Sequence, residues 1–199
     1  MKRITMALLL MLPLAIHAQD NTWEMTEEKS GNPDQKYLVG AVPEKDGRVV
    51  FETTIKAPRM TRQQIFDRVK KELLKMTKES NQLEQSRLSV DEPENGTLVG
   101  SYQEWLVFKN KPLVLDRTRF FYNLVAECSD GELHLMMNRI YYIYDEERNA
   151  QTFKAEEWIT DKYGLKKNMK KLSRVSGKFR RKTIDRKDYL FNKFENILK

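Results

Sequence analysis

Apolar and polar residues alternate through the middle of this chain in runs joined by short turns, and that pattern leaves few folds open. From Arg117 to Cys128 the period is two. Thr118, Phe120, Tyr122, Leu124, Ala126 and Cys128 face one way; Arg117, Arg119, Asn123 and Glu127 face the other, with Phe121 and Val125 among them. Such alternation marks a strand with one face on a core. Ser129-Asp130-Gly131 is too short for a crossover, so the next run, Glu132 to Tyr144, returns antiparallel. Upstream, Thr97 to Phe108 makes a long strand with Gly100 as a bulge or bend, and Asn110-Lys111-Pro112 interrupts the chain after it. The turn Glu92-Pro93-Glu94-Asn95-Gly96 joins that strand to a short one over Ser86 to Asp91.

Before these strands the period changes. Arg48 to Lys56 reads as a strand with Val49, Phe51, Thr53 and Ile55 inward, and Tyr37 to Val42 as a short edge strand. Thr61 then caps a helix over about 61–79. Thr61 with Gln64 fits a capping box, in which each side chain satisfies a free backbone N–H of the first turn. Ile65, Phe66, Val69, Leu73 and Met76 recur at helical spacing, so Phe51, Leu124 and Val69 are expected to pack between sheet and helix. Residues 145–181 are less regular, with Ala155 to Asp161 ordered by Trp158 and Ile159. Thr183 is expected to cap a last helix over about 184–198, with Leu190, Phe191, Phe194, Ile197 and Leu198 inward. The sum is an α+β chain in the order β-α-β-β-β-β-α: an antiparallel sheet of about five strands, a helix after the first strand and a C-terminal helix.

The N-terminus reads as a secretory signal peptide over 1–18. Lys2 and Arg3 precede an apolar run from Ile4 to Ile16, which falls short of the ~20 residues a bilayer span needs, and Ala18 offers a cleavage site. The expected product is exported to the periplasm or cell envelope. It is not a lipoprotein, because the single cysteine, Cys128, is far from the apolar run, and no later stretch is apolar enough to span a membrane. One cysteine forms no internal disulfide, and Cys128 reads as a small buried residue at a strand end. The expected organisation is a signal peptide at 1–18, a flexible lead-in at 19–36, an α+β domain at 37–153, and a basic C-terminal extension with a terminal helix at 154–199.

Charge divides the chain in the same place. The formal net charge of +7 becomes +5 when Lys2 and Arg3 leave with the signal, and residues 154–199 carry 15 Lys and Arg against 6 Asp and Glu. An acidic body therefore bears a basic tail. The candidate anion-binding residues are Lys166, Lys167, Lys170, Lys171, Arg174, Lys178, Arg180, Arg181 and Lys182, with Tyr163, Phe179 and Tyr189 interleaved. Export makes nucleic acid an awkward partner. An envelope protein, an anionic polysaccharide or a lipid headgroup is closer at hand. Equally, the tail has apolar anchors in Trp158, Phe179, Leu190 and Phe194, and its charge can fold back on the acidic body.

Several short stretches are similar to a family of exported bacterial proteins known as a domain of unknown function with a TATA-binding-protein-like fold. They are Gly47-Arg-Val-Val-Phe-Glu, the helix after Thr61, Gly96-Thr-Leu-Val-Gly100, Asp130-Gly131-Glu, Ala155-Glu-Glu-Trp-Ile-Thr-Asp and Gly177-Lys-Phe-Arg-Arg-Lys-Thr-Ile-Asp. The resemblance covers about residues 40–199. It implies a fold and an envelope location, and it brings no catalytic residue or ligand. A fold name of this kind does not imply DNA binding, since function resides in sites.

No catalytic, cofactor or metal constellation is visible. His134 and Cys128 are the lone His and Cys after the signal, where zinc or copper sites combine several such ligands. There is no dinucleotide or Walker glycine motif, and Asp91-Glu92-Pro93-Glu94-Asn95 lacks the spacing of a calcium loop. A hydrolase would have to draw on carboxylates such as Glu156 with Glu157, or Asp185 with Asp188. The residues favour an exported binding or structural module without catalysis, with a carboxylate hydrolase, or a binder of anionic polymer or lipid through 162–187, as alternatives.

Overall fold

The alternating run around Leu124 lies at the centre of the sheet. A computed structural model describes residues 34–199; the expected signal peptide and the lead-in as far as residue 33 lie outside the described residues. The strands are β1 (Glu44–Lys45), β2 (Arg48–Val49), β3 (Phe51–Lys56), β4 (Arg87–Glu92), β5 (Thr97–Lys111), β6 (Val114–Ser129), β7 (Glu132–Tyr144) and β8 (Gln151–Lys154). The helices are α1 (Arg62–Met76), a single turn α2 (Asp161–Gly164), and α3 (Gly177–Leu198). β1 and β2 form a small hairpin of their own. The main sheet runs β3-β7-β6-β5-β4, all antiparallel, and β8 pairs with the part of β7 beyond the end of β3.

Both helices lie on one face, over the residues that alternation turns inward. Phe51, Val69 and Leu124 are all buried there. Thr61 caps α1 by the expected reciprocal box: its hydroxyl accepts from the Gln64 N–H, and the Gln64 side chain accepts from the Thr61 N–H. α1 buries Ile65, Phe66, Val69, Leu73 and Met76, and α3 lies beside it with Phe179, Ile184, Leu190, Phe194 and Leu198 inward. Across the sheet beneath them runs a layer of rings. Tyr102 stacks on Tyr122 at 5.4 Å, Phe120 on Tyr142 at 5.5 Å, and Tyr142 meets Phe179 edge-on at 5.1 Å. Packing of this kind adds to the hydrophobic term for each ring.

Several elements differ from expectation. The main sheet has six strands rather than five, because Gln151–Lys154 pairs with β7; its one inward anchor, Phe153, stacks on Trp158 at 3.8 Å. Tyr37 to Val42 is not an edge strand. Gln35–Tyr37 forms a 3-10 turn, and Tyr37 is buried with its hydroxyl donating to Asp185. The run from Arg48 to Lys56 breaks at Val50 into two strands. Asn110-Lys111-Pro112 does not end β5 early: pairing continues to Lys111↔Val114, and the turn is Pro112-Leu113. α3 begins at Gly177, not after Thr183. Thr183 is buried in mid-helix, 2.6 Å from the Tyr142 hydroxyl, so its oxygen serves the core rather than a cap. Gly100 is not itself a bulge; the register shift lies opposite, in β4 between Leu88 and Val90. A Cβ on Gly100 would lie 2.4 Å from the Tyr102 ring, so the glycine makes room for that ring to reach the Leu73 carbonyl.

No helix among the described residues is long and apolar enough to cross a membrane.

Candidate functional site

Long side chains on α3 divide into those the fold consumes and those it leaves in water. Arg180 is fully buried. Its Nε donates to the Tyr37 carbonyl at 2.6 Å, and its two terminal nitrogens donate to the Ile159 and Leu38 carbonyls and to Asp161 at 2.6–2.7 Å. Burial lowers its pKa, and the Asp161 carboxylate acts against that. Arg181 bonds Asp34 and lies over the Tyr37 ring. Lys178 donates to Asp116 at 2.8 Å and to the Tyr144 hydroxyl, with the Phe108 ring 4.4 Å away. Lys182 is partly buried. Lys178, Arg180 and Arg181 therefore tie α3 to the body, and Arg180 is buried among the described residues.

The other five candidates, Lys166, Lys167, Lys170, Lys171 and Arg174, are all exposed. They do not sit on a helix. They occupy a tight loop between α2 and α3, closed by a Leu165↔Leu172 bridge and by the Lys166 N–H donating to the Lys171 carbonyl at 2.8 Å.

Deeper along α3, Arg186 reaches the inner face of the sheet. Its Nε and a terminal nitrogen donate to the Glu104 carboxylate at 2.8 and 2.7 Å, and Asn81 and Gln82 donate to the same group. Burial pushes the Glu104 carboxyl up, against the pull of the Arg186 charge; four N–H donors converging on two oxygens fit the ionised form. Burial is the largest single influence on Arg186 and lowers it, but the charge and hydrogen bond of Glu104, together with Tyr122 and Glu79, outweigh burial and hold the guanidinium raised. Lys193 extends the network to Glu72 and Glu79. Alternation hid Glu104, because its inward position reads as apolar. Glu104 and Arg186 are themselves buried and join β5 to α3, and only the outer members of the network, Glu72 and Lys193, border a surface pocket.

Three of the four suggested hydrolytic carboxylates are engaged by other groups. Glu156 accepts the Val49 N–H at 2.8 Å, Glu157 is exposed, and Asp185, which accepts from Tyr37, shares the Lys36 ammonium with Asp188 at 2.6 and 3.5 Å. His134 lies at the side of the sheet away from the helices, near Thr54 and Glu52. Among the described residues no group of three His, Cys, Asp or Glu side chains gathers as a metal site. Cys128 is buried at the end of β6, and burial raises its thiol to about 12.

The face of the sheet opposite the helices remains open among the described residues. Pairing lines up Val90, Val99, Val125 and Met136 as one apolar row across four strands, with Glu52 at its edge. A second row runs Gln103, Phe121, Tyr141 and Lys154, in which Phe121 and Tyr141 stack nearly parallel at 4.1 Å. A third contains Trp105, Arg119 and Ile143. The Arg117 guanidinium lies 3.8 Å over the Trp105 ring, beside a cavity of about 320 Å³ walled by Trp105, Ile143, Glu146 and Arg148. Phe121 and Val125, apolar among the polar outward residues, were the sequence signal for this face; Trp105, Met136 and Tyr141 belong with them.

A family model described as a domain of unknown function (DUF4468) with TBP-like fold matches residues 51–143, from β3 to the end of β7. The crystal structure of a DUF4468 family protein from Bacteroides ovatus is 38% identical, superposes with a TM-score of 0.76, and the match covers 84% of this chain and 96% of that one. The chain belongs to the DUF4468 family. A TBP-like protein from Parabacteroides distasonis, at 19% identity and a TM-score of 0.60 over 79% of this chain and 96% of that one, shares the fold. No curated protein matches the chain. The DUF4468 match covers the open sheet face in all its long strands, whereas the basic loop lies C-terminal to the residues the family model spans.

Proposed function

We propose that this DUF4468 protein is an exported, cell-envelope binding module without catalytic activity, and that it holds a protein partner on the open face of its sheet. The observation that carries the reading is the Val90-Val99-Val125-Met136 row beside the stacked Phe121 and Tyr141. An antiparallel sheet can leave one face to solvent, but that face is then normally polar. Here its centre is apolar and aromatic, and its rim carries both signs of charge: Glu52, Glu127, Arg119 and Lys154. An apolar centre with a mixed polar rim is the anatomy of a protein interface, and mixed charge does not suit a polyanion. Export rests on Lys2, Arg3 and the apolar run that follows them.

A photo-crosslinking residue placed at Val99 or Met136, in cells that export the protein, tests both parts. The expected result is an adduct with one defined envelope protein, formed by mature chains whose intact mass lacks residues 1–18. With that partner purified, Val125→Arg should weaken binding at least tenfold while the thermal transition stays in place. Adducts that form equally well from Lys71, on the outer side of α1, or a full-length mass confined to the cytosol, would overturn the reading.

A further inference from the structure

We infer that the end of the molecule beyond the N-terminus of α3 docks on an anionic phospholipid bilayer, with the β5–β6 hairpin tip entering the headgroup layer and the basic loop lying against the phosphates.

The two parts lie at the same end. Arg186 on α3 bonds Glu104 on β5, and seven residues nearer the start of α3 the Phe179 ring packs on Phe108 at 4.7 Å, so α3 runs antiparallel to β5. Lys178 reaches Asp116 on the returning strand. The hairpin tip, residues 109–115, therefore lies beyond the first turn of α3, and the loop that leads into that turn, residues 165–175, joins the fold at the same end.

The tip is built to display apolar side chains. Leu113 is fully exposed at 106% relative area, and Val114 and Leu115 follow at 50% and 52%. Pro112-Leu113 forms a two-residue turn between paired Lys111 and Val114, and Leu113 has φ +65°. A turn with proline first and a left-handed second residue favours glycine or asparagine at the second position. Leucine there is conformationally costly and is fully exposed among the described residues, so their packing does not account for it. On the loop, Met169 shows the same combination, exposed with φ +57°, and Val175 is exposed as well.

Cations surround these side chains. Lys109 and Lys111 flank the tip, and Lys166, Lys167, Lys170, Lys171 and Arg174 stand on the loop, all exposed. In the nearby acidic turn Glu146 pairs with Arg119 and Glu147 lies 3.6 Å from Arg117, toward the open sheet face, while Asp145 is exposed. Aliphatic tips ringed by lysine fit a bilayer surface, where apolar side chains pass the phosphate level and the cations remain at it. A soluble polyanion would engage the lysines and give Leu113 nothing. This inference does not depend on the sheet face having a partner.

The test uses the chain from Gln19 onward, the product that signal cleavage is expected to leave. Co-sedimentation is measured with vesicles of phosphatidylethanolamine and phosphatidylglycerol, and with phosphatidylcholine alone. Each basic side chain near an anionic surface contributes roughly fivefold in partitioning. The quadruple variant Lys166→Gln, Lys167→Gln, Lys170→Gln, Lys171→Gln should therefore bind anionic vesicles more than ~100-fold more weakly. Leu113→Ser with Leu115→Ser should lose at least tenfold with every charge retained. Both variants should unfold at the parent temperature, since the replaced side chains are exposed. Failure of the parent to bind anionic vesicles, equal binding to phosphatidylcholine, or full binding by the serine variant would overturn the inference; the last of these, with retention of the parent on a soluble acidic polysaccharide, would assign the loop to a polymer instead.

Discussion

Arg186 and Glu104 meet in the core across 82 residues of sequence, with two charge-assisted hydrogen bonds of 2.8 and 2.7 Å and neither side chain in contact with solvent. The pair connects the C-terminal helix to β5, the first of the three long strands. A buried ion pair adds little net stability over an apolar pair of the same size, but half of one is costly.

Arg186→Met should therefore destabilise the protein by about 3–5 kcal/mol, because Glu104 is left buried without its counter-charge. Glu104→Met in the same chain should recover most of that loss. Urea unfolding of both single variants and the double variant checks it. A double variant that loses the sum of the two single losses would show that the side chains do not act as a pair.

The two faces of β6 should respond differently to truncation. Leu124 lies under the helices with no exposed area, and Leu124→Ala should cost about 2–5 kcal/mol. Phe121 is buried chiefly by its neighbours on the open face, above all by Tyr141. Phe121→Ala should cost clearly less in denaturant unfolding. Equal losses would mean that the second face is covered as well as the first.

Cys128 should be inert in the folded protein. Burial favours the neutral thiol and raises it to about 12, above its unfolded value near 9. The stability linked to this group is fully present below the unfolded pKa and is lost as pH rises from there through about 12. At pH 8 a thiol reagent should label the native chain only as fast as it opens, and label the urea-unfolded chain at once. Immediate native labelling would place the thiol at the surface.

The elements that were legible in the sequence are those set by neighbours along the chain. Alternation across 117–128 reports which face of one strand is buried, and the Thr61–Gln64 box closes within one helical turn. The Asp130-Gly131 turn is local in the same way. The inward side of the sheet and the start of α1 could therefore be read directly. The outward aromatic pair was half visible: Phe121 stood out among polar neighbours, but its stacking on Tyr141 depends on a register that pairs two strands.

What the tertiary structure decided lies in contacts between residues far apart in sequence. Lys178, Arg180, Arg181 and Lys182 read as candidate anion-binding residues, since a run of lysine and arginine usually stays in water, with folding back on the acidic body left open. The fold instead brings the carbonyls of Tyr37, Leu38 and Ile159 and the Asp161 carboxylate around Arg180, and these replace its water. The same contacts extend α3 back to Gly177, where local signals placed a cap at Thr183. β8 has little strand pattern and exists because the edge of β7 beyond β3 still has hydrogen bonds to make. A side chain's type determines the cost of burying it, and its local pattern shows which face it takes. Whether a charge is buried depends on partners up to 143 residues away, and only the closed fold brings them together.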